Sequence, residues 1–111
     1  MVNVDEVVDK IVGVFSKFID NDDIENGNRY LLASIETLIY EYIAGMIDSQ
    51  ELSEIARKLR DKIVEGPAYA NPFIMEVLGI LEEKVDEESI NEALEKTRRL
   101  HMEERLDRLE V

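Results

Sequence analysis

This sequence predicts an all-α fold: a compact antiparallel bundle of five helices, with a nearly all-apolar central fourth helix, forming a single domain over residues 1–111. Three observations carry that expectation. Helix-start signals recur along the chain, as Val2-Asn3-x-x-Glu6, Ile47-Asp48-x-x-Glu51, Asn71-Pro72 and Val85-Asp86. Each offers an Asn or Asp oxygen to a first-turn amide that has no partner inside its own helix. Behind each signal, apolar residues return every three or four positions, the period of one helix face. The polar clusters between these stretches are too short to divide the chain.

The first helix is expected over Val4 to Ile19. Val4, Val7, Val8, Ile11, Val14, Phe15, Phe18 and Ile19 fall on one face at about 100° per residue. Valines are mediocre helix formers, so packing must hold this segment helical. Asp20 to Gly27 (DNDDIENG) is expected to be a polar connection. The second helix then spans Asn28 to Ile47, with a stripe of Leu31, Leu32, Ile35, Leu38, Ile39, Tyr42, Ile43 and Met46.

The third helix, Ser49 to Glu65, carries Leu52, Ile55, Ala56, Leu59 and Ile63 and is stopped by Gly66-Pro67. Gly66 to Asn71 forms a short loop. Pro72 suits a first helical position, where a missing N–H costs nothing, and opens the fourth helix, which runs to Lys84. Phe73 to Leu81 is apolar nearly all round, the pattern of a helix enclosed by its neighbours. The fifth helix starts at Glu87 and continues to near the end, supported by Glu92→Lys96, Glu95→Arg99 and Glu104→Arg108 pairs. Its stripe begins as Ile90, Leu94 and Thr97 but resumes as Met102, Leu106 and Leu109, rotated by roughly 100°. One straight helix cannot show both stripes to one groove, so it bends near Leu100 or its end faces something else. Gly13, Gly45 and Gly79 interrupt the first, second and fourth helices at a cost of about 1 kcal/mol each. Close approach of helix backbones is the expected compensation.

Composition bounds function more than it selects one. The formal net charge of −13 disfavours partners with an anionic surface, whether nucleic acid or membrane, and favours basic partners or cations. The chain has no cysteine, which removes disulfides, thiolate metal sites and a cysteine nucleophile. No apolar run approaches the ~20 residues of a membrane span, and the first residues lack the basic and apolar regions of a signal peptide. Cytoplasmic residence is the default expectation. Abundant glutamate with a single glutamine, Gln50, leans towards a thermophilic source.

Among possible chemical sites, the Asp20–Gly27 acids fail the calcium-loop pattern in both registers. Position three is Ile24 when counting starts at Asp22, and position six is Glu25 when it starts at Asp20. The lone histidine, His101, has Arg98 three positions back, so a di-iron Glu-x-x-His pair is absent. Nor does it have a nucleophile arranged for it to activate. Glu51-x-x-Glu54 and Glu83-x-x-Asp86 place paired carboxylates on adjacent helices. This resembles the magnesium-binding signature of the MazG-like all-α nucleotide pyrophosphatases. The resemblance implies that the four acids hold a metal which in turn binds a nucleotide's phosphates. From local chemistry alone, Glu51 and Asp86 are capping residues, and Glu54 projects to solvent.

Basic residues gather on the third and fifth helices, where Arg98 and Arg99 are candidate contacts for an anion. Intervening acids would neutralise most of a nucleic-acid footprint. The rotated seam of Leu100, Met102, Leu106 and Leu109 is the candidate contact for a partner helix or a second copy. The leading expectation is a small acidic interaction or scaffold domain without catalysis or cofactor, acting through its acidic face or the end of its fifth helix. Metal-dependent nucleotide hydrolysis of the MazG-like type comes second, and nucleic-acid binding through the third and fifth helices last.

Overall fold

The computed structural model describes residues 2–65, 70–103 and 106. Helix ends explain most of the architecture. Helix α1 (Val4–Asp20) starts where Asn3 accepts a hydrogen bond from the Glu6 amide at 3.1 Å. It stops at Asn21, after which Asp22 takes the left-handed conformation at φ 58°. The Asp22 amide then donates to the Ile19 carbonyl and the Asp23 amide to the Phe18 carbonyl. This is the paired-bond stop that usually employs glycine. Asp23 at once caps α2 (Ile24–Ile43), accepting from the Asn26 amide. The expected eight-residue acidic loop therefore shrinks to Asn21–Asp23, and Ile24 to Gly27 form the first turn of α2.

Helix α2 also ends four residues earlier than its apolar pattern implies. Gly45, at φ 80°, supplies the left-handed step, with Gly45 N–H donating to the Tyr42 carbonyl and Met46 N–H to the Glu41 carbonyl. Gly45 is thus the stop of this helix rather than an interruption within it. Ile43 and Met46, expected on the core stripe, are consequently 56% and 66% exposed. Helix α3 (Ser49–Glu65) opens with a reciprocal cap, Asp48 accepting from the Glu51 amide while Glu51 accepts from the Asp48 amide. Asn71 caps α4 (Pro72–Glu83), and Asp86 with Ser89 caps α5 (Glu87–His101). The Gly66-Pro67 stop, the Glu104→Arg108 pair and Leu109 lie outside the described residues.

Successive helices alternate in direction. Gly27, in the first turn of α2, lies against Phe15, Phe18 and Ile19 near the end of α1. A Cβ there would come within 3.1 Å of Phe18 Cβ, so this glycine marks the close helix approach. The expectation of close approach at Gly13 and Gly79 does not hold, since nothing would crowd a Cβ at either. Ser53 Oγ donates to the Glu82 carbonyl at 2.9 Å, placing the start of α3 beside the end of α4. A three-residue turn, 84–86, then joins α4 to α5. Because directions alternate, α1 and α3 run parallel, with ion pairs in register: Asp5 with Lys58, and Asp9 with Lys62 four residues on.

One apolar core draws on all five helices and on Ile47, Ala70 and Leu106. Among the described residues there is no strand. Helix α2 packs against each of the other four, whereas α4 meets α2, α3 and α5. The all-apolar look of α4 reflects three such neighbours, and it still leaves Phe73 and Glu76 exposed on its fourth side.

The two helix stops make opposite predictions. Asp22→Gly relieves left-handed strain and removes an acid from a helix C-terminus, so the unfolding free energy should rise by about 0.5–1 kcal/mol, read as a higher urea midpoint. Gly45→Ala imposes the same strain and should cost about 1 kcal/mol or more.

Candidate functional site

The alternating directions bring the starts of α1, α3 and α5 and the ends of α2 and α4 to one pole of the bundle. A hydrogen bond from the Val2 amide to Glu51 Oε2 at 3.2 Å ties two of these starts together. Helix starts attract acids, because unpaired amides and the helix dipole both favour negative charge there. Segments 2–6, 41–54 and 82–88 hold eleven Asp and Glu residues and a single Lys, Lys84; seven of the acids, Asp5, Glu6, Asp48, Glu51, Asp86, Glu87 and Glu88, sit at a cap or in a first turn. Lys58, reaching Asp5 and Glu54, Arg60 on Glu82, and Lys84 on Asp86 answer four of the eleven. The other seven have no cationic partner among the described residues.

The four carboxylates of the pyrophosphatase-like pattern all lie at this pole, already engaged for the most part. Glu51 accepts from the Asp48 and Val2 amides, Glu54 pairs with Lys58, and Asp86 caps α5 and pairs with Lys84. Glu83 is exposed at the end of α4. Among the described residues, no three acidic or histidine side chains are grouped to hold a metal ion. The donor set therefore does not fit a metal, and no chemical step follows from it.

Hydrogen bonds shift three ionisable groups at this pole. The Lys58 ammonium, 2.7 Å from Asp5 Oδ1, holds the Asp5 carboxyl below its ordinary 3.8, first through the hydrogen bond and then through its charge. Lys58 is in turn raised above 10.5, by its bonds to Asp5 and then Glu54. The Ser89 backbone amide lowers Asp86 most, with smaller help from Lys84.

At the same pole, Tyr42, Ile43, Met46 and Ile47 line a shallow, open depression of about 610 Å³, with Asp48, Ser49 and Glu51 at its rim. Tyr40, one turn back on α2 and 47% exposed, extends the apolar strip. Of these residues, Tyr42, Ile43 and Met46 keep the period of the core stripe, which hides their exposure in the sequence. Gly45 is the sequence signal that the helix ends before Met46.

The expected seam at the end of α5 is dispersed. Helix α5 ends at His101, so the stripe does not continue on a bent helix. Leu100 and Leu106 are buried in the chain's own core, and among the described seam residues only Met102 is exposed, at 87%. A buried polar junction fixes this turn: Asn28 Nδ2 donates to the Leu106 carbonyl at 2.7 Å, while Asn28 Oδ1 accepts from the Asn71 amide at 2.8 Å. Arg29 adds a bond to the Glu103 carbonyl at 3.2 Å. Leu100 instead floors a second depression, of about 390 Å³, beside Phe73 and the Glu76–Lys96 ion pair. That cross-helix pair replaces the Glu92→Lys96 pairing expected within α5.

Arg99 pairs with Glu95 at 2.7 Å on the wall of the same depression, and Arg98 is exposed. Among the described residues, Arg98 and Arg99 are thus not a pair of free cations at this end. Among the described residues, no helix is long and apolar enough to cross a membrane.

Two predictions follow from these contacts. Leu106→Ala should cost about 2–5 kcal/mol as a core truncation and leave the molar mass in sedimentation unchanged. A change of mass without loss of stability would restore the partner seam. Asp5 has a depressed folded value, so its pairing stabilises the fold above 3.8 and loses effect as pH falls through that lower value. Asp5→Asn should therefore lower the urea midpoint near neutrality, and the gap to the unsubstituted chain should close in acid. An undiminished gap in strong acid would contradict the pairing.

No family model, curated protein or solved structure matches this chain.

Proposed function

We propose that the chain is a non-catalytic protein-interaction domain that docks through the apolar strip where α2 turns into α3. One observation carries this reading: Ile43 and Met46 continue a core stripe in sequence yet stand more than half exposed. Burying such side chains against a partner is favourable by roughly 25 cal/mol per Å² of apolar surface. Their own chain leaves them in water. Contacts elsewhere support the same reading. Of the basic residues on α3 and α5, Lys58, Arg60, Lys62, Lys96 and Arg99 are each held by a carboxylate rather than free for nucleic acid.

The reading is tested with a photoreactive benzoylphenylalanine at Ile43, irradiated in the cells that make the protein. A discrete covalent adduct is expected, lost when Met46 is changed to Ser and absent when the same group replaces exposed Asn91. No adduct, or equal adducts from both positions, would refute it.

A further inference from the structure

Resting on that reading, we infer that the occupant of the strip is a basic amphipathic helix of another protein. The strip lies within residues 30–56, a stretch of 27 positions with five acids and no Lys, Arg or His. Around it, Glu41, Asp48 and Glu51 have no cationic partner among the described residues, and segments 2–6, 41–54 and 82–88 together hold eleven acids to one Lys. A partner whose apolar residues fill the depression must bring its flanks against these carboxylates. Lysine or arginine flanks gain from that placement, and acidic flanks are repelled. A second copy of this chain would set two such poles face to face, at a net −13 each.

Backbone chemistry selects a helix over an extended segment. Strand addition needs unpaired main-chain groups along an edge. Here Gly45 and Met46 N–H and the Glu41 and Tyr42 carbonyls are already bonded to one another. Recognition must therefore run through side chains. Tyr40 and Ile43, three apart on one helix face, form a ridge suited to apolar anchors repeating every three or four residues.

The test is an amide NMR titration of the chain with two synthetic helical peptides sharing one leucine face, flanked by lysines in one and by glutamates in the other. The lysine peptide should give saturable shifts centred on residues 40–51. Affinity should fall roughly tenfold or more for the glutamate peptide, for the Ile43→Ser/Met46→Ser double variant, and on raising salt. Equal binding of both peptides at this patch would leave the docking surface standing and overturn the basic partner. Shifts scattered over the acidic residues and indifferent to the double variant, or no shifts at all, would overturn both. So would a patch shown by sedimentation to be buried in a dimer that the double variant dissociates, as regards the basic partner.

Discussion

Unpaired amide donors at helix starts are the constraint on which the rest of this structure depends. Each of the five helices needs an acceptor there, and the chain supplies Asn3, Asp23, Asp48, Asn71 and Asp86. These caps fix where each helix begins, and the two left-handed stops fix where α1 and α2 end. With short connections, such boundaries force successive helices to reverse. Reversal collects three starts at one pole, and the acids that suit helix starts come with them. Seven of the eleven acids at that pole are thus a by-product of solving a hydrogen-bonding problem.

The opposite pole is closed by different chemistry. Asn28 is fully buried, and a buried amide group left unpaired would cost about 1–3 kcal/mol. Its nitrogen and oxygen instead join three parts of the chain: the start of α2, the cap of α4 and the segment after α5. That junction turns the chain after His101 and returns Leu106 to the core. At the other pole, the turn from α2 to α3 leaves Tyr40, Ile43 and Met46 exposed.

Much of this was legible in the sequence. Four of the five caps and the apolar faces of α1 and α3 follow from residue type and spacing alone. Asp23 was hidden because DNDDIENG has the composition of a loop, although Asp23-x-x-Asn26 and the Glu25–Arg29 ion pair at i,i+4 are helix chemistry. Periodicity carried α2 past its true end, since Tyr42, Ile43 and Met46 keep the period while Gly45 breaks the backbone. The fate of Leu106 could not be read at all: it depends on Asn28, seventy-eight positions away. Local patterns carry no information about such a contact.

The central claim is that the starts of α1, α3 and α5 share one pole, some 25 Å along the helix axis from the other. The chain has no cysteine, so Ser49→Cys accepts a single nitroxide label at the start of α3. Paramagnetic broadening should fall on the amides of residues 2–6 and 82–88 and spare those of residues 17–23. Broadening at 17–23 with sharp signals at 82–88 would contradict the account.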